Sequence, residues 1–207
     1  VTRAQLSASL ASWRRREDYR RRKWKAAKRG TAQRRKWLAL LREAKAMVER
    51  REKQIAASRP LRLRAYDEAV KLIGVMESGG NNRGPVVDRI IRANGGSGPE
   101  PWCGDYMAYV YRLAGSKTVV RAWAAVRFIG YVTGQSIVSK PAKGDMVCFK
   151  FDHVGMFVRD LGGGYIETIE GNTGASGATS DSSTGGDGVY RKRRHKSLVS
   201  RYVRVHR

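Results

Sequence analysis

The chain is 207 residues long, enough for one or two domains. Its 42 Lys and Arg against 18 Asp and Glu leave a formal charge of +24, which draws it toward polyanions: nucleic acid, an anionic membrane surface, or the phosphate-bearing polymers of a bacterial wall. Two cysteines exclude a disulfide framework, no apolar run of about 18 residues exists to span a membrane, and the basic N-terminus shows no apolar signal-peptide core.

Residues 1–59 contain no Pro and one Gly, Gly30. Leu6, Leu10, Trp13 and Trp24 stand among basic residues, and Trp37, Leu40, Leu41, Ala44, Val48 and Ile55 follow at helical spacing. This pattern predicts two helices of about 25 residues, broken near Gly30-Thr31 and folded back as an antiparallel hairpin, with Thr31 capping the second. Residues 1–65 carry 22 of the Lys and Arg and only 5 acids, so the charge is concentrated there. The runs Arg14-Arg-Arg16 and Arg20-Arg-Arg-Lys23 have few acids to pair with, which points to an anionic wall polymer or a membrane surface as partner. No recognised nucleic-acid motif is present, and no specific nucleic acid is expected.

Ser58-Arg-Pro60 reads as the boundary to a second domain, residues 60–207. An amphipathic helix is expected over Leu63–Glu77, a short one over Val86–Ala93, and another beginning at Cys103, with Tyr106, Val110 and Leu113 at helical spacing and Gly115 as its stop. Trp123–Gly130 reads as a further short helix. After Pro141 the period changes to two. Strands are expected over Gly144–Phe151, His153–Arg159, Tyr165–Glu170, Val189–Arg193 and Leu198–Val205, with a Gly/Ser/Thr loop at Gly174–Gly188. Helices first and hairpin-linked strands later make an α+β fold with an antiparallel sheet.

Cys103 follows a Gly-rich loop and Pro101, at the first turn of its helix. Helix N-termini favour a thiolate over a thiol, and a Cys nucleophile needs a base and a group orienting that base. His195, in a basic run, and His206, next to the end, read as solvated. His153 begins an apolar strand just after a strand ending in aromatic residues. The next strand offers Glu170 and Asn172 at i and i+2, on one face, and either can accept an imidazole N–H.

Pro101-Trp-Cys-Gly-Asp105, Gly144-Asp-Met-Val147, Asp152-His-Val-Gly155 and Ile169-Glu-Gly-Asn-Thr173, in that order, resemble the CHAP domain of papain-like cysteine peptidases and amidases. Several phage endolysins and bacterial wall hydrolases carry that domain. The resemblance covers roughly Leu63–Arg207, including Gly80-Asn-Asn82 upstream and Gly188-Val-Tyr-Arg191 near the end. It implies a papain-like fold, cleavage of an amide or peptide bond of peptidoglycan, Cys103 as nucleophile, His153 as base and Glu170 as its polar partner, with Asn172 alongside. Trp102 is expected to pack and to wall the substrate groove. Gly104 stands where the family often has Ala. Cys148 stands where an aromatic is more usual and is read as buried filler. No cofactor or metal is expected: no cluster has metal-ligand spacing, and Asp181 and Asp187, in the polar loop, are not taken as a calcium site. The chain is expected to be a monomer, kept in the host cytoplasm until released to the wall. The rival reading is a basic nucleic-acid- or membrane-binding protein whose CHAP-like domain is inactive.

Overall fold

The computed structural model describes residues 1–117, 125–175 and 186–206. The chain divides into two compact units, Val1–Pro60 and Leu61–Arg207.

The first unit is an antiparallel pair, α1 (Arg3–Ala26) and α2 (Ala32–Ala57). Thr2 and Gln5 form a reciprocal capping box at the start of α1. Gly30 turns the chain at φ +79°, and the Thr31 hydroxyl accepts the Arg34 N–H at 3.2 Å to start α2. Only Leu6, Leu41 and Ala44 are buried, so apolar packing contributes little. The two helices are held by polar and aromatic contacts instead. Arg14 bonds Glu52, Arg20 bonds the Leu40 carbonyl and Glu43, Tyr19 meets Trp37 edge-on, and the Arg34 guanidinium lies 4.8 Å from the Trp24 ring. Among the described residues, no helix is long and apolar enough to cross a membrane.

The second unit is α+β: three helices, α3 (Leu61–Lys71), α4 (Pro85–Ala93) and α5 (Cys103–Leu113), pack against a six-stranded antiparallel sheet. The strands are β1 (Gln135–Val138), β2 (Met146–Phe149), β3 (Val154–Gly162), β4 (Tyr165–Thr173), β5 (Gly188–His195) and β6 (Val199–Val205), in the order β1-β6-β2-β3-β4-β5. One face carries the main core. Ala65, Ala69, Ile90, Ile91, Tyr106, Met107, Val110 and Tyr111 from the helices meet Met146, Cys148, Val154, Met156, Ile169 and Val203 from the sheet. The other face buries a smaller cluster, Val147, Phe149, Phe157 and Ile166, with Phe151, Leu198, Val199 and Tyr202 beside it. All four residues of β2 are therefore buried, because it is covered on both faces.

Several expectations need correction. The helix expected over Leu63–Glu77 ends at Lys71. Gly74, at φ +89°, turns the chain, and residues 74–77 bond the backbone of residues 187–189 instead. Gly188 permits that approach, since a Cβ there would lie 2.7 Å from the Val75 carbonyl oxygen. Leu113, expected inward, is exposed. The expected helix Trp123–Gly130 is, within the described residues, a single 3-10 turn at Val126–Phe128; Trp123 itself lies outside them. The sheet also begins earlier than expected, with β1 pairing the last strand. Of the polar loop at Gly174–Gly188, residues 176–185, including Asp181, lie outside the described residues.

Candidate active site

Cys103 is the first residue of α5 and is 4 % exposed. Its position is fixed by the residue before it. Trp102 is fully buried, its indole N–H donates to Glu77 Oε1 at 2.8 Å, and its ring meets Tyr106 edge-on. The second oxygen of Glu77 accepts the Asn82 backbone N–H at 2.7 Å, which ties Gly80-Asn-Asn82 to the start of α5. Trp102 therefore packs, as expected, and instead of walling a groove it anchors from inside the helix that begins at Cys103. Asp105, also buried, accepts from the Asn94 amide at 2.6 Å and so joins the Gly-rich loop to the same helix.

His153 lies in the tight turn between β2 and β3 and is 3 % exposed. Its ring stacks on Phe149 and Phe151, with centroids 5.7 and 5.9 Å away. The aromatic residues at the end of β2 thus set the plane of the imidazole. Nε2 donates to Glu170 Oε2 at 2.9 Å, and the Cys103 side chain acts on the same ring, favouring its charged form. With Nε2 committed to the carboxylate, Nδ1 is the nitrogen left for sulfur. Burial pushes the His153 pKa down, but the sulfur and the Glu170 carboxylate outweigh it and raise the pKa to about 9. The ring is therefore an imidazolium at neutral pH.

Glu170 is fully buried, on the face of β4 opposite Ile169. Burial raises its pKa, yet the bonds and charges of His153 and Arg194 outweigh that and hold it down at about 2. Oε1 accepts from the Thr168 hydroxyl at 2.5 Å and from Arg194 Nε at 3.0 Å; Oε2 accepts from the second Arg194 nitrogen at 2.7 Å as well as from His153. Gly155 makes room for this side chain, because a Cβ there would lie 2.6 Å from Glu170 Cγ.

Of the two groups offered to the imidazole, then, Glu170 takes it. Asn172 does not follow simple alternation. It sits at φ +54°, where the β4–β5 register shifts, and its amide accepts the Trp102 backbone N–H at 3.0 Å while donating to the Gly186 carbonyl at 2.8 Å. It holds the residue that precedes Cys103, and not the His153 imidazole. Gly171 beside it is needed for closeness, since a Cβ would lie 2.6 Å from the Tyr106 ring.

The remaining motif, Gly144-Asp-Met-Val147, is structural. Asp145 takes two bonds from Arg204, at 3.0 and 2.6 Å, and Gly144 packs directly on the Arg62 backbone. Cys148 is a free, buried thiol whose pKa burial pushes up to about 12. His195 bonds Ser197 and His206 bonds Ser136, each locally. Among the described residues, no group of three or more His, Cys, Asp or Glu side chains is placed to hold a metal ion.

Cys103 lines a cleft of about 390 Å³ together with Glu100, Pro101, Ala125, Val126, Arg127 and Asp152. Arg201 steadies one wall of it, donating to the carbonyls of Val126, Arg127 and Ile129. Sequence reasoning missed Arg194, which lies in the basic run around His195, and Arg201, inside the expected strand Leu198–Val205, because no local pattern marks either as part of the site. The chain matches no protein-family model, no curated protein and no solved structure.

Proposed function

We propose that residues 61–207 form a papain-like, CHAP-type cysteine hydrolase that cleaves an amide or peptide bond of peptidoglycan. The observation that carries this reading is the His153–Glu170 pair, with Cys103 acting on the same imidazole and lining a cleft, and with the carboxylate buried behind the base. In the reaction, the Cys103 thiolate attacks the substrate carbonyl. The oxyanion that forms accepts from the Cys103 backbone N–H, one of the first-turn groups that have no intrahelical partner. His153 gives its proton to the leaving amine as the C–N bond breaks, leaving a thioester. The neutral imidazole then takes a proton from water, hydroxide adds to the thioester carbonyl, and collapse returns Cys103 and a free carboxylic acid. Glu170 keeps Nε2 engaged throughout, so Nδ1 always faces the reacting atoms.

The basic hairpin is read as an anchor to anionic wall polymer or membrane surface. Four of its five acids are already paired to Arg or Lys, which leaves most of its cations to solvent or to a partner. The test is purified protein against its Cys103→Ser variant on peptidoglycan, followed by turbidity and by mass spectrometry of the fragments. The parent should release fragments with a new amine and a new carboxylic acid, and the variant should release none while melting at the parent temperature. An inactive parent whose Cys103 still alkylates would refute the peptidoglycan substrate and leave the thiol site standing. Equal activity of the two would refute the nucleophile.

A further inference from the structure

Arg194 is the most buried guanidinium in the sheet, 1 % exposed, yet it lies in the run Arg191-Lys-Arg-Arg-His195. Its fork spans both oxygens of Glu170, at 3.0 and 2.7 Å, and a further bond reaches the Thr173 hydroxyl at 3.4 Å. Its guanidinium carbon lies 5.5 Å from the Phe149 ring centre and 5.8 Å from that of Phe151, the two rings that cluster with His153. A single residue thus touches both things that orient the base, its carboxylate and its aromatic shelf.

We propose that Arg194 is a positioning residue of this site, acting through Glu170 to hold His153 as a correctly aimed imidazolium. The inference rests on the reading of Cys103 and His153 as nucleophile and base. The physical case is one of charge and of direction. A carboxylate with no access to water takes up a proton unless it is paired, and a protonated Glu170 would neither attract the imidazolium nor accept from it. The groups facing Glu170 are Thr168 on its own strand, His153 before β3, and Arg194 on β5. Lys192, also buried on β5, is turned to the Gly174 carbonyl. Cys103 on α5 stands beyond the imidazole. Among these, Arg194 alone adds a fixed positive charge directly to the carboxylate. Direction follows from the fork: two parallel bonds fix the plane of the carboxylate and hence the aim of Oε2 at Nε2, which a single ammonium cannot do.

The test reads Cys103 itself, so it does not depend on the substrate. Alkylation of Cys103 by iodoacetamide is followed by mass spectrometry at pH 5 and pH 9 in the parent, Arg194→Lys and Arg194→Met, with wall hydrolysis measured in parallel. Losing a charge partner at contact distance moves a protonation equilibrium by about one to three pH units. Arg194→Met should therefore alkylate at least about tenfold more slowly than the parent at pH 5 and within about twofold at pH 9. Arg194→Lys should keep most of the alkylation at pH 5 but lose wall hydrolysis through kcat, with KM unchanged. Because Arg194→Met removes one of the two cationic partners of a buried carboxylate, Arg194→Met/Glu170→Gln is the companion variant. If Arg194 serves Glu170, this double variant should match Glu170→Gln alone in both assays. Additive losses in the double variant, or equal slowing at both pH values, would overturn the proposal. A parent with no wall activity but with the pH-selective alkylation loss would refute the substrate and retain the role of Arg194.

Discussion

Gly155→Ala probes how rigidly the relay is held. The added methyl carbon would lie 2.6 Å from Glu170 Cγ, 3.2 Å from the Ile169 carbonyl oxygen and 3.4 Å from Glu170 Cδ. Carbon atoms rest at about 3.5–4.0 Å, so roughly 1 Å must be found. A solvent-facing Glu would swing aside at little cost. Glu170 cannot, because both oxygens are bonded, to Thr168, Arg194 and His153. Overpacking of this kind costs about 1–3 kcal/mol. At about 2–4 °C per kcal/mol for a domain of this size, the melting temperature should fall by about 2–12 °C. The effect on chemistry should exceed the effect on stability, since a misplacement of about 1 Å costs on the order of a hundredfold in rate. The assay is initial lytic rate at 25 °C, well below the melt of either protein, together with a calorimetric scan. Gly98→Ala is the control, because a Cβ there meets nothing within 4 Å. A Gly155→Ala enzyme with the parent rate and melting temperature would show that Glu170 is free to move, and the clamp argument would fall.

Replacing His153 with Ala should remove nearly all wall hydrolysis, whereas His195→Ala and His206→Ala, which lose bonds to Ser197 and Ser136 and, for His195, an edge contact with Tyr165, should stay within about twofold. Equal losses in all three would place the site elsewhere. Glu170, held down at about 2, contributes stability that is complete above its ordinary 4.5 and is lost as pH falls toward 2. His153, raised to about 9, contributes stability that is complete below its ordinary 6.5 and is lost as pH rises through 9. Melting scans should therefore plateau between 4.5 and 6.5, with Glu170→Gln flattening the acid slope and His153→Ala the alkaline one; unchanged slopes would contradict the pairing. Deleting residues 1–59 should weaken pelleting with intact walls, and about 0.5 M salt should weaken it in the full chain, where screening reaches only a few ångströms. Pelleting that resists both would exclude an electrostatic anchor.

The hairpin was legible because its signals are local. One glycine, one capping threonine and a helical period suffice to place two helices and the turn between them. Cys103 was legible for the same reason, from the proline and loop before it and the helical spacing after it. The fate of residues 72–77 was not. Leu72, Ile73 and Met76 continue a helical period on paper, but they compete with a backbone partner more than 100 residues away, at Gly188, whose availability only the tertiary structure reveals. The short strand β1 failed for a related reason: four residues, Gln-Ser-Ile-Val, carry no pattern until β6 lies beside them.

Asn172 and Arg194 show the limit of alternation in opposite directions. Reading residues i and i+2 on one face placed Asn172 with Glu170, but the register shift after Glu170 and the left-handed Asn172 break the period at that step. For Arg194 the period holds and was not applied. Along β5, residues 192 and 194 are buried while 191 and 193 are exposed, so alternate members of Arg191-Lys-Arg-Arg-His195 face inward. The expected strand stops at Arg193 and His195 reads as solvated, which gives Arg194 between them no inward role. The same sequence also supplied what an inward guanidinium requires, a glutamate inside an apolar strand, Tyr165-Ile-Glu-Thr-Ile-Glu170. Two buried charges of opposite sign on strands that can pair imply each other, since breaking such a pair by removing one partner costs about 3–5 kcal/mol. Period two, applied to charged residues as well as apolar ones, turns Arg194 inward, but its backbone partner on β4 is Ile166, so only the structure shows the long side chain reaching along the sheet to Glu170.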